Sequence, residues 1–174
     1  MDNLKADLRR KKQIFAQDGA DVSMLRIFMA DGTSANVLYR CMRWCANHQL
    51  GLLAYFFQWT NKFLNACVIG SGADFAPGFV IMHPMGIVIN SKVVGGYNIT
   101  LESGVVIGDE KGQSPILANN IFVGAGAKII GGLTVADDVK IGANAVLTKN
   151  ADKGTTMLGI PAEAYVKKND GAAS

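Results

Sequence analysis

Apolar side chains recur at nearly every sixth position between Ile69 and Leu147. Within each six-residue unit, a Gly or Ala often follows the apolar head, and the fifth position is usually apolar again. Two inward side chains in six residues describe a short strand followed by a sharp corner. Only Gly95 lacks an apolar side chain among the thirteen heads, which are Ile69, Phe75, Ile81, Ile89, Gly95, Leu101, Ile107, Leu117, Val123, Ile129, Val135, Ile141 and Leu147.

This period predicts the fold class, a mainly β protein built as a parallel β-helix of hexapeptide repeats. Three strands and three corners make one triangular coil of about eighteen residues, and coils stacked about 4.8 Å apart pair their backbone N–H and C=O groups. Small residues allow the sharp corners, and the aliphatic heads fill the interior. An ordinary parallel sheet is disfavoured because its crossover helices do not fit into six residues.

We expect three parts: a small α-helical region over residues 1–66, the β-helix over 67–152, and a C-terminal segment with a turn and tail over 153–174. Asp2–Gln17 predicts a charged helix whose basic residues 9–12 face solvent. A turn at 31–34 that offers an N-cap precedes a helix over 36–47, and another helix spans 50–64. We expect the helices to pack on the coil and to cover its first open strand edge.

The last of these helices is unusually apolar, since it contains Leu52, Leu53, Tyr55, Phe56, Phe57 and Trp59. It is too short to span a bilayer. The stripe therefore either packs against the coil or a neighbouring subunit, or makes a peripheral contact with a membrane.

Composition limits the partners and the location. A net charge of +3, without a basic stripe interleaved with aromatic residues, argues against nucleic acid as a partner. The three cysteines precede the repeats, which argues against a disulfide framework and favours a reducing compartment. No spacing is typical of metal ligands, and the polar N-terminus does not resemble a signal peptide. We therefore expect a cytoplasmic protein without a metal, with membrane association as the alternative.

The repeat is interrupted twice, and interruptions of a solenoid form the loops that carry function. The step from Ile81 to Ile89 is eight residues and contains His83, at a corner that points away from the interior. The step from Ile107 to Leu117 is ten residues and extrudes the polar loop 109–114. His83 is our candidate general base. His48, at the end of a helix, is expected to contact the helix C-terminus or solvent.

Four features in this order resemble the serine acetyltransferase group of hexapeptide acyltransferases, over roughly residues 68–168. They are the coils, the segment His83-x-x-Gly-Ile-Val-Ile, the run Val-Gly-Ala-Gly-Ala-Lys-Ile-Ile-Gly at 123–131, and the closing Gly-Ile-Pro-Ala at 159–162. The resemblance implies a left-handed coil, a homotrimer, and acetyl-CoA bound as cosubstrate between neighbouring coils. It identifies His83 as the catalytic histidine.

The same resemblance assigns the binding residues. Small residues line the groove for the pantetheine arm, and a turn lies near the adenine end. The residues assigned to acetyl-CoA are Gly108, Lys111, Gly124, Ala125, Ala143, Gly159, Ile160 and Pro161. Asp109 and Ser114, in the extruded loop, are assigned to the acceptor.

The chain also departs from that family. Val68 stands where the family has an aspartate that orients the histidine, and Ser114 stands where it has a second histidine. We expect Glu102 or a backbone carbonyl to orient His83 instead. The departures favour a sugar hydroxyl of a polysaccharide precursor as the acceptor, with L-serine as the second acceptor. We expect direct acetyl transfer, because no cysteine or serine beside His83 suggests an acyl-enzyme. A non-catalytic scaffold is the alternative, whereas a zinc site of three histidines is disfavoured because the coil contains only one.

Overall fold

Four helices precede the β-structure in the computed structural model, which describes residues 2–165. They are α1 (Asp2–Gln17), α2 (Met24–Phe28), α3 (Thr33–Asn47) and α4 (Gly51–Asn65). The predicted helix Asp2–Gln17 is confirmed. The part of the predicted C-terminal segment from 166 to 174 lies outside the described residues.

Helix α3 differs from the prediction at its start. It begins at Thr33, and no side chain caps it, because the N-cap residue is Gly32 with a left-handed φ of +74°. The Thr33 hydroxyl, which sequence reasoning treated as part of a capping turn, instead donates to the Ile27 carbonyl at 2.7 Å. The predicted side-chain cap is therefore wrong, and the turn serves a different contact described below.

Fifteen strands of two or three residues follow within the described part of the chain. Their bounds are β1 Val68–Ile69, β2 Asp74–Phe75, β3 Val80–Ile81, β4 Val88–Ile89, β5 Val94–Gly95, β6 Thr100–Leu101, β7 Val106–Gly108, β8 Ile116–Leu117, β9 Phe122–Val123, β10 Lys128–Ile130, β11 Thr134–Val135, β12 Lys140–Ile141, β13 Val146–Leu147, β14 Thr156–Leu158 and β15 Glu163–Ala164.

The strands form the three faces of a triangular prism. Sheet A contains β1, β4, β7, β10 and β13, sheet B contains β2, β5, β8 and β11, and sheet C contains β3, β6, β9, β12 and β14 with β15 at its end. All pairings are parallel except that of β14 with β15. The predicted heads are buried and stack in register, for example Ile69, Ile89, Ile107, Ile129 and Leu147 along sheet A.

Gly95 breaks the apolar pattern for a steric reason. Phe75 lies beneath it in the preceding coil, where its ring stacks on that of Phe79 at 4.1 Å between centroids. A Cβ added at Gly95 would lie 2.6 Å from Cε1 of Phe75 and 2.8 Å from Cδ1 of Ile99. The ring of Phe75 therefore fills the interior space at its own position and at position 95 above it, so only glycine fits there.

The two ends of the prism are closed differently. At the C-terminal end the parallel stack continues past residue 152 to β14, and β15 folds back antiparallel on it. At the other end the helices cover the open edge of the first coil, as predicted. Asn36 accepts from the Ile81 amide at 2.9 Å and donates to the Phe79 carbonyl at 2.8 Å. The Tyr39 hydroxyl likewise accepts from the Phe75 amide at 3.0 Å and donates to the Ala73 carbonyl at 3.2 Å.

A buried ion pair completes this cover. Arg40 donates to Asp7 at 2.7 Å and also to the carbonyls of Phe75 and Ala76. Asp7 in turn accepts from the amides of Gly78 and Phe79 at 2.9 and 3.0 Å. Each charged group is thus hydrogen-bonded to the backbone edge as well as to its partner, which offsets the cost of burying it.

Helix α4 turns its apolar stripe outward. It packs on β1, and Gln58 donates to the Ile69 carbonyl at 3.0 Å. The other side of the helix is exposed and presents Leu52, Leu53, Tyr55, Phe56, Trp59, Phe63 and Leu64. Phe57, which also belongs to the predicted stripe, packs against this chain's own core. The exposed side chains do not, so for them a subunit contact and a membrane contact remain of the predicted alternatives.

Candidate active site at one edge of the prism

His83 lies on the edge where the chain passes from sheet C to sheet A, which we call the C–A edge. On the same edge, Ser103, Ala125 and Ala143 stack in the next three coils, since the Gly126 amide donates to the Ser103 carbonyl and the Asn144 amide to the Ala125 carbonyl. Met85 holds this position in the coil of His83, because the Gly104 amide donates to its carbonyl, and Gly159 lies on the same edge of the last coil. Four steps of about 4.8 Å make a line of roughly 19 Å. An imidazole thus stands at one end of a line of small side chains.

Because the residues along this edge are glycine and alanine, the molecular surface there lies close to the backbone. A Cβ added at Gly124 would lie 2.7 Å from the Ala143 amide nitrogen, so the corners stack tightly only because Gly124 has no side chain. Ala125 and Ala143 are exposed beside it. A thin, extended ligand can therefore lie along the edge in contact with main-chain groups.

The last coil ends the line with the Gly159–Pro161 turn. Gly159 has a φ of +91°, and its carbonyl accepts from the Val146 amide at 3.0 Å. The chain then returns to the stack, because the Ala162 amide donates to the Val146 carbonyl at 2.8 Å. Ile160 is left exposed at the tip. The structure therefore puts the turn on the same edge as His83, Gly124, Ala125 and Ala143.

Two carboxylates flank the ring of His83. Oε2 of Glu102, in the next coil, is 4.0 Å from Nε2, and Oδ2 of Asp31, between α2 and α3, is 3.6 Å from Nδ1. The His83 side chain is 55% exposed, Asp31 is 82% exposed and Glu102 is 23% exposed. Glu102 was predicted to lie here. Asp31 was not, because the sequence around it shows only a turn and no periodicity.

Asp31 reaches His83 because its turn packs directly on the end of β3. Gly32 faces the Ile81 carbonyl so closely that an added Cβ would clash with it, and that Cβ would lie 2.9 Å from the Met82 carbonyl oxygen. The ammonium of Lys11 in α1 donates to the carbonyl oxygens of Asp31 and Ile81 and to the hydroxyl of Thr33. The turn is therefore held between helix α1 and the first coil.

The prediction that residues 9–12 face solvent is wrong for Lys11, which is only 2% exposed. Burial lowers the pKa of its ammonium to about 8, while the nearby carboxylates of Asp31 and Glu102 act in the opposite direction. A cation thus lies beneath the site, and its charge interacts with both carboxylates that flank His83.

The remaining predicted residues lie on the opposite margin of sheet A, which we call the A–B edge. Gly108 ends β7 there, and the extruded loop follows it. Its turn is tight, because the Gly112 amide donates to Asp109 at 2.8 Å. The Ser114 hydroxyl is 3.2 Å from Asn90 Oδ1 and 3.4 Å from Asp109 Oδ2, and Lys111 is exposed. Within one chain this edge does not meet the C–A edge.

Other features of the described residues lie apart from this site. A cavity of about 740 Å³ between α1, α3 and α4 is lined by none of the predicted catalytic or binding residues. The Nδ1–H of His48 donates to the Trp44 carbonyl at 2.8 Å at the end of α3, as predicted for a helix-terminal contact. No group of three or more metal-ligating side chains occurs within residues 2–165. No helix in the same range has the length and hydropathy needed to cross a membrane.

Comparison with known proteins gives one consistent result. The chain is 32% identical to a serine acetyltransferase of Synechococcus elongatus over 163 residues, which are 91% of this chain and 66% of that protein. It is 34% identical to a serine acetyltransferase of Helicobacter pylori over 145 residues, which are 81% of this chain and 85% of that protein. The chain thus spans about two thirds of the first relative's length. No family model matches the sequence.

A solved structure agrees with the sequence comparison. A serine acetyltransferase in complex with CoA superposes with a TM-score of 0.86 at 25% identity, and the match covers 94% of this chain and 69% of that one. The predicted fold class, a left-handed parallel β-helix with a small N-terminal helical region, is confirmed.

Proposed function

The chain belongs to the serine acetyltransferase family, and from that premise we propose that it transfers acetyl from acetyl-CoA to an acceptor hydroxyl with His83 as general base. The resemblance to this family and the enzyme class inferred from the sequence, an acetyl-CoA-dependent O-acetyltransferase, are both confirmed by the relatives. The observation that supports the assignment of the site is the placement of His83 at the head of a line of small residues along one edge.

Transfer is direct in this proposal. The neutral ring of His83 takes the proton of the acceptor hydroxyl while the oxygen attacks the thioester carbonyl. Backbone N–H groups at the corner stabilise the tetrahedral oxyanion. The C–S bond then breaks, and the proton passes from the imidazolium to the sulfur, so that CoA leaves as the thiol and the acceptor carries the new ester.

Acetyl-CoA lies along the C–A edge in this arrangement. Gly124, Ala125 and Ala143 line its pantetheine arm, and the turn at 159–161 lies at the adenine end. The CoA complex of a structurally similar serine acetyltransferase supports this choice of cosubstrate. Gly108 and Lys111 can reach the cofactor only from the A–B edge of a neighbouring chain.

Two acceptors follow from different observations. L-Serine comes first because it is the substrate named for the relatives, which favour it over the sugar that the sequence motifs alone placed first. A sugar hydroxyl is the second candidate. Val68 and Ser114, at the positions where the family has an aspartate and a histidine, bring no charge to an amino-acid acceptor.

A thiol-release assay distinguishes the acceptors. With acetyl-CoA at a fixed concentration, we expect L-serine to release CoA thiol faster than a panel of monosaccharides and nucleotide sugars, because the relatives act on serine. Thiol release with a sugar but not with serine would reverse the order. No acceptor-dependent release from serine or the sugars would contradict the enzymatic proposal and favour a non-catalytic scaffold.

His83→Ala tests the general base, and His48→Ala is the matched control because it removes the other histidine, far from the edge. We expect kcat/KM to fall by about 10²–10⁴-fold for His83→Ala, since a positioned acid–base group contributes that much. Binding of CoA, measured by calorimetry, should stay close to wild type, and His48→Ala should keep full turnover. Retained turnover in His83→Ala would refute the assignment.

A homotrimer is the second part of the proposal. Four of the five outward residues stacked along sheet A are valines: Val68, Val88, Val106 and Val146. The fifth, Lys128, turns its ammonium to the carbonyls of Gly104 and Gly126. An aliphatic column on the outer face of a narrow coil is typical of a surface that another subunit covers.

Threefold symmetry around sheet A would also complete the site. In a cyclic trimer each chain uses two different surfaces, so the C–A edge of one chain meets the A–B edge of the next. The loop with Asp109 and Ser114 would then face His83 of its neighbour. The exposed stripe of α4 lies beside sheet A because α4 packs on β1, so we assign it to the same interface.

Val88→Glu tests the interface, with Val94→Glu as its control. The two valines are similarly exposed in the single chain, 44% and 50%, but Val94 lies on sheet B. A carboxylate at position 88 would be buried without a partner, so we expect light scattering to show dissociation of the trimer. Val94→Glu should remain trimeric. A monomeric wild type, or dissociation caused only by Val94→Glu, would contradict this interface.

A further inference from the structure

We infer that Asp31, from the turn between α2 and α3, is the carboxylate that orients His83, and that Lys11 sets Asp31 in place. Both would be positioning residues, because they act through the histidine and not on the substrate. This inference rests on the proposed function, since it assigns the partner of the proposed general base. It takes the orienting group from the helical region, whereas Val68 in the coil cannot provide it.

The two flanking carboxylates face different nitrogens of the ring. Asp31 faces Nδ1 at 3.6 Å, and Glu102 faces Nε2 at 4.0 Å. A general base needs one nitrogen that donates to an orienting group and another that is free to take the acceptor's proton. With the N–H on Nδ1, Asp31 is its acceptor, and Nε2 is free to take the proton. Glu102 then lies beside the working nitrogen, next to the position of the acceptor hydroxyl.

At 3.6 Å from Nδ1, the carboxylate of Asp31 is near the ring but is farther away than in a formed hydrogen bond. Hydrogen bonds of catalytic groups often shorten only when substrate binds. Asp31 is exposed on its side-chain atoms, so rotation of the carboxylate can close the gap without moving the backbone. A bound acceptor would also exclude water from the pair and strengthen it.

The backbone of Asp31 is fixed independently of its carboxylate. Lys11 bonds the main-chain carbonyl of Asp31, the Thr33 hydroxyl at 3.2 Å and the Ile81 carbonyl at 2.9 Å. These three acceptors are neutral oxygens. Burying an ammonium without a direct anionic partner is unfavourable. The carboxylates of Asp31 and Glu102 offset part of that cost through their charge. The hydrogen bonds that Lys11 makes to the turn and to β3, together with the negative charges of Asp31 and Glu102, therefore explain why a lysine is buried here.

Asp31→Asn is a clean test because it removes the charge and leaves the backbone bond to Lys11 intact. We expect kcat to fall about 10–100-fold, which is typical for the loss of a group that orients a histidine. KM for acetyl-CoA should stay unchanged, and the unfolding temperature should fall only slightly, because the exposed Asp31 carboxylate offsets only part of the cost of burying Lys11. The acid limb of the kcat/KM profile should move to lower pH, because the protonated imidazole loses a negative neighbour. Asp31→Glu should recover part of the activity.

Three comparisons make the result decisive. Asp152→Asn, which removes an exposed acid from the last coil, should match wild type. In a double-mutant cycle, Lys11→Met should lower kcat in the wild-type background but much less in the Asp31→Asn background, because Lys11 acts through Asp31. Glu102→Gln removes a second negative neighbour of the ring, so it should also move the acid limb to lower pH, but it should raise the acceptor KM and lower kcat much less than Asp31→Asn does.

The outcomes separate this inference from the proposed function. Wild-type kcat and pH profile in Asp31→Asn, while His83→Ala is inactive, would overturn the inference and leave the general base standing. A larger loss of kcat in Glu102→Gln than in Asp31→Asn would assign the orienting role to Glu102. An active His83→Ala variant would overturn the proposed function itself.

Discussion

The unpaired backbone edge of the first coil is the constraint on which the rest of this structure depends. Each later coil pairs its N–H and C=O groups with the coil before it, but the first coil has no predecessor. A buried edge without partners would be strongly destabilising. Asn36, Tyr39 and the Asp7–Arg40 pair provide those partners from α1 and α3. The helical region is therefore a polar cap fitted to one particular edge.

That cap also determines what surrounds His83. The same packing that lets α1 and α3 reach the edge brings the turn at Asp31 against the end of β3, with Lys11 bonded to both. The histidine lies in the two-residue insertion immediately after β3. Stability of the first coil and the environment of the imidazole thus depend on the same contacts. A change in the cap can alter the chemistry without touching the coil.

Sequence reasoning predicted the coil and the helices that cover its first edge, but not the contacts through which they cover it. The six-residue period predicted the buried apolar residue at the head of each unit. The steric role of Gly95 explains the one head that has no apolar side chain. His83 and Glu102 could be placed because the period fixes their corner. Lys11 and Asp31 could not, because their positions depend on how helices meet the coil, and no repeat encodes that contact. Lys11 also stands in a basic run that is typical of a solvated helix face, although it is buried.

The predicted binding residues divide between two margins of sheet A, and this division follows from the register. Residues after sheet C strands stack along the C–A edge, whereas the extruded loop follows a sheet A strand. A single chain therefore carries two halves of different sites. The valine column between them provides the surface on which neighbouring chains can bring those halves together.

A crystal structure of the protein with CoA tests the central claim most directly. The account predicts that CoA lies between two protomers along the C–A edge of one of them, with its sulfur near His83 and its pantetheine arm beside Ala125 and Ala143. CoA bound in the cavity between α1, α3 and α4, or with its thiol at the far end of the edge from His83, would contradict it.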